Sequence, residues 1–296
     1  MLNERQVNRH VESIIAQVSD IAAMPQVVYK IIELTGSTMT AAQQIEDAIA
    51  VDPGFTSKVL MLANSAHYAL PRRVTSIRDA ATYMGYKTIR QLALTVGLFD
   101  MFVGKTDAGS MRRRSWWRHS VDAAVCARAI AKRMPDVGPD DAYSCGLLHD
   151  AGKSLLDRYA EGEYSAVDKM IEEGTNPLEA ERAVFGCDHS EVGGVAAEMW
   201  NFSPMLVECV TLHHSEAGSS YPKHVALTCL ASEMAHAVLA GRRAEHMMSG
   251  ARTEEGEQGR NHSPWAVETL GFDVTVLWQL YTECTEAIAR GGSLGL

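Results

Sequence analysis

The sequence predicts an all-α fold, a multi-helix bundle. Three observations carry that prediction. Apolar residues recur at helical spacing along most of the chain, and no segment sustains the period-two alternation of a half-buried strand. Proline and glycine turn signals then cut the apolar pattern into helix-length pieces.

Val27, Val28, Ile31, Ile32 and Leu34 follow Met24-Pro25 at helical spacing. Ala41 to Val51 reads as the next helix, stopped by Asp52-Pro53-Gly54, and the pattern resumes from Phe55 to Ala63. Arg73 to Tyr83 and Tyr86 to Phe102 follow, with Gly85 between them. A polar break over Gly104 to Arg114 sets the expected boundary between an N-terminal helical unit, 14–110, and a second unit, 111–296. In the second unit, helices are expected over Trp116 to Arg133, Ala142 to Tyr159, Tyr164 to Glu173 and Pro177 to Val184. The Asp136-Val137-Gly138-Pro139 turn separates the first two. Ser190 to Trp200 carries Gly193-Gly194, a pair suited to close helix packing. Ser203 is a good N-cap with Pro204 at the first helical position, and that helix runs to His213-His214. His224 to Ala240 is another helix, Met248 to Pro264 a polar loop, and Val274 to Ala289 a closing amphipathic helix.

At 296 residues the chain is long enough for one large core or two smaller ones. A net charge of −10 argues against non-specific binding to nucleic acid. The basic cluster Arg112-Arg113-Arg114 with Arg118 reads as a solvated face at a helix start. Met1 to Ser13 lacks an apolar signal core, and no run of about 18 apolar residues exists, so a cytoplasmic protein with no membrane span is expected. The six cysteines show no CxxC spacing and sit in apolar patterns, as free buried thiols do.

The most informative stretch is Leu147-Leu148-His149-Asp150-Ala151-Gly152-Lys153. A carboxylate beside an imidazole is able to bridge two cations while the imidazole fixes one of them. His119 upstream, and His189 and His213-His214 downstream, each lie in their own apolar segment near a helix end. Ligands at helix ends suit a site assembled between the helices of a bundle. His119, His149, Asp150, His189, His213 and His214 are therefore the candidate metal ligands. A nitrogen and oxygen set without thiolate suits Fe, Mn, Ni, Co or Zn, as one or two ions. A carboxylate bridging two metals activates water for attack on a phosphoester. Lys153, three residues after Asp150, is either a cation for a phosphate or an ion-pair partner of Asp150. His10, His67, His224, His236, His246 and His262 read as surface or satisfied core histidines.

Gly146 to Lys153 resembles the signature of the HD superfamily of metal-dependent phosphohydrolases. Met24-Pro25-Gln26-Val27-Val28, Asp52 to Leu60, Leu62-Ala63-Asn64-Ser65-Ala66 and Val74-Thr75-Ser76-Ile77 resemble the HDOD family, the HD-related output domains of bacterial signalling proteins. The likeness runs from about Ile21 to about Ala240. It implies an HD-like helical bundle with an N-terminal helical subdomain, and a bacterial regulatory protein. Many members of that family lack the metal ligands. The ligand pattern here is instead similar to that of the HD-GYP phosphodiesterases, which cleave cyclic di-GMP. That likeness assigns His119, His149, His189, His213 and His214 as ligands, Asp150 as the bridging carboxylate, and Lys153 as the motif lysine. Three positions depart from it: Ser115 and Ser232 stand where carboxylates are expected, and Ser215 replaces the glutamate after the histidine pair, with Glu216 one place later. Glu233, beside Ser232, is a candidate substitute carboxylate.

Two functions follow. One is a signalling output module that binds metal and acts on a protein partner or a nucleotide ligand. The other is a metal-dependent phosphohydrolase acting on a nucleotide such as cyclic di-GMP, with Asp150 and Lys153 as its catalytic residues. With no receiver-like segment in the sequence, the input is expected to come from a partner or a small ligand.

Overall fold

The computed structural model describes residues 42–65, 68, 70–103, 107, 109–159, 162–215, 218–241 and 263–291, together with 11, 13, 14, 16, 26–28 and 30. Among the described residues there are helices and turns and no strand. Met24, Pro25, Ile31, Ile32, Leu34, Ala66, Glu216 and most of the expected loop from Met248 to Pro264 lie outside them.

The N-terminal part holds α1 (Ala42–Ala50), α2 (Pro53–Ala63), α3 (Ile77–Met84) and α4 (Tyr86–Val103). The Asp52 carboxylate accepts from the N–H groups of Gly54 and Phe55, so the expected stop after α1 is also the N-cap of α2. α3 begins at Ile77 rather than at Arg73. The Asn64 side chain pairs with both backbone groups of Val74 at 2.8 and 2.9 Å and holds the preceding stretch out of the helix. Ser76 then caps α3 through Asp79 N–H. Gly97 of α4 is a close approach, because a Cβ there would stand 2.0 Å from Val28 Cγ2.

The expected polar break is shorter than its sequence suggests. α5 (Ser110–Ala131) starts six residues before Trp116 and takes in the arginine run. Arg113 is 2% exposed. It donates to Val103 O at 2.8 Å, to Asp157 at 2.6 Å and to both Asp107 oxygens at 2.7 and 2.8 Å. Arg112 pairs with Asp157 and Asp168, and Arg118 with Asp122. Arg112 and Arg113 are neutralised inside the fold, which corrects the solvated-face expectation for them, while Arg114 and Arg118 are exposed as expected.

Next come α6 (Pro139–Leu148), α7 (Ala151–Tyr159), α8 (Tyr164–Glu172), α9 (Pro177–Phe185), α10 (His189–Met199), α11 (Pro204–Leu212) and α12 (Pro222–Leu239). The single helix expected from Ala142 to Tyr159 is two, parted at His149-Asp150. α10 carries a capping box, with Asp188 accepting from Ser190 and Glu191 N–H and the Glu191 side chain reaching back to Asp188 N–H. The chain closes with α13 (Pro264–Leu270), which begins at the residue where the expected loop ends, and α14 (Val274–Gly291).

α5 is the central helix and packs along α6, α12 and α14, while α10 packs on α7 and α11. Its small residues Ala123, Ala127 and Ala131 admit Leu227, Leu230 and Met234 of α12 and Leu280 of α14 into one buried cluster. All six cysteines are buried and free, as their spacing implied. Among the described residues no helix is long and apolar enough to cross a membrane.

Candidate metal centre

Three glycines draw the site helices together. A Cβ on Gly152, at the start of α7, would lie 1.9 Å from the carbonyl oxygen of His189. One on Gly193 would meet Val210 Cγ1 at 2.8 Å, and one on Gly194 would meet Thr211 Oγ1 at 2.2 Å. α7 and α10 therefore meet backbone to backbone and α11 packs its side chains on the glycines of α10, which brings Asp150, His189 and His213 to one point.

Asp150 is the hub, at 3% exposure. Its Oδ1 faces His189 Nε2 at 3.3 Å and His213 Nε2 at 3.6 Å. Its Oδ2 faces His149 Nε2 at 3.4 Å and His119 Nε2 at 3.8 Å, and accepts from Lys153 Nζ at 2.6 Å. Two ligand groups result: Asp150 with His189, His213 and His214, and Asp150 with His119 and His149. Within each group the ligating atoms lie within 4.8 Å of one another. All but His214 are buried; His214 meets solvent and has its Nε2 3.1 Å from His189 Nε2.

The donor chemistry fits a cation. His213 Nδ1 donates to Val210 O at 2.8 Å, because a carbonyl only accepts. Neutral His213 then presents a bare Nε2 lone pair to Asp150 Oδ1, an acceptor facing an acceptor. Asp150 Oδ1, His213 Nε2 and His119 Nδ1 are buried and make no hydrogen bond. Buried polar atoms without partners cost free energy, and a divalent ion would satisfy the first two together. Burial would raise the Asp150 carboxyl, but His149 and Lys153 outweigh it and hold the group well below the usual carboxylate range. Burial lowers the His119 imidazole far below the usual range, and His236 beside it adds to this. Burial holds His213 down to about 4. Neutral imidazoles at His119 and His213 beside an ionised carboxylate are protonation states that ligation needs.

The second group is filled differently. Ser232 of α12 places its Oγ 3.1 Å from His119 Nε2 and 3.2 Å from His149 Nε2. His149 is fixed as the Nδ1–H tautomer by Gly146 O at 2.8 Å. One hydroxyl thus occupies the space where a carboxylate would complete this half. Glu233 does not substitute for it, since its carboxylate accepts from Ser263 N–H and Oγ at the start of α13.

Residues outside the sequence-chosen set also shape the site. Glu181 of α9 is fully buried and accepts from the Nδ1 of His189 at 2.7 Å and from its backbone N–H at 2.8 Å. The Tyr164 hydroxyl donates to the other Glu181 oxygen. Burial pulls the His189 imidazole down, but the Glu181 carboxylate overrides it and pushes it up to about 9. The readable signal was a carboxylate on the apolar stripe of Leu178, Glu181 and Phe185. His236 stacks on His119, with ring centroids 3.9 Å apart.

The family model for the HDOD domain matches residues 21–216. An HDOD domain protein of unknown function from Geobacter sulfurreducens is 25% identical, with a TM-score of 0.79 over 98% of both chains. A candidate phosphohydrolase from Shewanella amazonensis SB2B shares the fold at 19% identity and TM-score 0.70, covering 94% of this chain and 97% of that one. A candidate signal transduction protein from Marinobacter aquaeolei VT8 shares it at 18% identity and TM-score 0.74, over 98% of this chain and 66% of that one. An uncharacterized protein of Treponema pallidum (strain Nichols) is 24% identical over 217 residues, which span 72% of this chain and 41% of that protein.

Proposed function

This chain belongs to the HDOD family, and from that premise we propose that it is a regulatory output module of bacterial, cytoplasmic signal transduction that holds a divalent metal ion. Asp150, His189, His213 and His214 are the proposed ligands of the principal ion. His119 and His149 form a weaker second position, which Ser232 leaves short of a carboxylate. The observation that carries this reading is the buried pair of unpartnered acceptors, Asp150 Oδ1 and His213 Nε2, facing each other at 3.6 Å. An ion there joins α7, α10 and α11, so its binding free energy is also folding free energy for the helices around it. In this reading residues 14–110 are an N-terminal helical subdomain and 111–296 the HD-like unit that holds the metal, and the partner is a signalling protein or a nucleotide.

A second reading is favoured by one further observation, that the two oxygens of Asp150 serve two ligand groups. It is a metal-dependent phosphohydrolase. The bound metal, one of Fe, Mn, Ni, Co or Zn, would supply Lewis-acid polarisation of a phosphoryl oxygen. Asp150 would hold both ions, and Lys153, freed from Asp150, would contact a substrate phosphate. The burial of every ligand but His214 counts against it, because a phosphodiester needs a path to the site.

Metal content by inductively coupled plasma mass spectrometry, on protein purified without chelator or nickel resin, tests both readings. One ion per chain, lost in Asp150→Ala, supports the regulatory site. Two ions with turnover of a cyclic dinucleotide would shift the assignment to the hydrolase. No ion after reconstitution with Fe or Mn would overturn both.

A further inference from the structure

Glu181 spends one carboxylate oxygen on two donors of the same residue. Its Oε2 takes the backbone N–H of His189 at 2.8 Å and the ring Nδ1–H at 2.7 Å. The first contact satisfies an N–H at the start of α10 that the Asp188 cap, busy with Ser190 and Glu191, leaves over. A helix-capping role needs no more than that. The ring contact is additional, and it fixes the imidazole so that Nδ1 carries a proton and Nε2 points at Asp150 Oδ1, 3.3 Å away. Glu181 is itself clamped, because Tyr164 of α8 donates to Oε1. Tyr164 is held edge-on by Trp116 of α5, with centroids 4.7 Å apart. Four helices therefore converge on the orientation of one ring.

We infer that Glu181 is a positioning residue for the metal centre: held in place by Tyr164, it sets the tautomer and rotamer of His189 and makes Nε2 a stronger donor to a cation. The consequence for affinity rests on the metal reading above, whereas the orientation of the ring does not. A carboxylate on the far nitrogen of a ligating histidine raises the basicity of the ring and locks its direction, and losing such a partner costs about 10–100-fold in metal affinity.

The test uses the full chain and two readouts. In the metal-free protein, nuclear magnetic resonance follows the His189 Hδ1 proton, which a charge-assisted bond to Glu181 shifts downfield and protects from exchange. In a zinc titration against a chromophoric chelator, the dissociation constant is read for wild type and Glu181→Gln. Glu181→Gln keeps the shape and an acceptor but loses the charge. Its Hδ1 signal is expected to move upfield, with zinc binding weaker by about tenfold or more. An unchanged Hδ1 signal and an unchanged zinc constant, even alongside a lower melting temperature, would mean that Glu181 only caps α10, and the inference fails. If Glu181→Gln does not fold, Tyr164→Phe removes a donor from Oε1, leaves more of the carboxylate charge for His189, and is expected to move the Hδ1 signal further downfield and to change the zinc constant by less than about tenfold. No movement in either readout there overturns the inference too. A wild type that takes up no zinc sinks the metal reading alone, and the Hδ1 comparison still decides the role of Glu181.

Discussion

Replacing Gly152 with alanine puts the backbone packing of the site to its hardest test. The added methyl would stand 1.9 Å from the carbonyl oxygen of His189, against about 3.4 Å for ordinary contact, so roughly 1.5 Å must be found. The obstacle is backbone, and no rotamer change removes it. α10 must therefore slide away from α7, and His189 Nε2 must leave Asp150 Oδ1. Overpacking a close contact costs about 1–3 kcal/mol, and a rigid obstacle puts this variant near the top, a fall of ~6 °C in melting temperature. Metal geometry tolerates only about 0.2 Å, so the affinity loss is expected to exceed what the stability loss alone would give. Gly193→Ala is the milder comparison, because its methyl meets a Val210 methyl at 2.8 Å and the nearest backbone atom, Gly152 N, at 3.3 Å, so far less must give. It should cost about 1 kcal/mol. Calorimetry and zinc titration on both variants decide the matter. A Gly152→Ala protein that melts within about 1 °C of wild type and binds metal equally would show that α7 and α10 are not in backbone contact, and the site argument would fall with it.

Other perturbations have equally definite outcomes. Asp157→Ala strips a carboxylate from two guanidiniums, one of them 2% exposed, and should cost about 3 kcal/mol in urea unfolding, Asp107 retaining part of the pairing; a loss under about 1 kcal/mol would contradict the buried pair. Ser232→Asp places a carboxylate between His119 and His149 and should raise metal content by about one ion per chain, measured by mass spectrometry; unchanged content would count against the second ligand group. The His189 imidazole, pushed up to about 9, is charged in the metal-free fold at neutral pH and largely neutral when unfolded. Its contribution is complete below about 6.5 and lost as pH rises through 9, so metal-free wild type should lose stability across that window and His189→Gln should not. His213, held down to about 4, works the other way: unfolding takes up a proton, so stability falls as pH drops from about 6.5 to 4. Melting curves of His213→Gln beside wild type over that range would check it.

Much of this was legible because ligands and helix ends coincide. His149 and His213 each sit where an apolar run stops, His189 sits where a helix begins, and the fold brings all six chosen residues into the two groups around Asp150. What periodicity hid were the joints. Leu147, Leu148, Ala151 and Leu155 keep helical spacing straight across the His149-Asp150 break, so nothing local marks it. Arg112 and Arg113 read as solvated because their partners Asp107, Asp157 and Asp168 lie up to 56 residues from them in sequence. Glu181 and Tyr164 were missed for the same reason, since a hydrogen bond between neighbouring helices leaves no periodic trace. Ser232 stands out in the sequence as a departure, but only the fold puts it between two imidazoles.

The break between α6 and α7 has a mechanical side. The two residues that join these helices, His149 and Asp150, are the whole of the joint, and both face the other ligands. Any change in the angle between α6 and α7 therefore swings Asp150 against four histidines held by other helices. With an ion bound, the joint would act as a strain gauge: a partner that bent α6, which packs on α5 and α12, would alter the grip on the ion without touching it. By reciprocity, taking up the ion would stiffen that joint and change the surface such a partner meets.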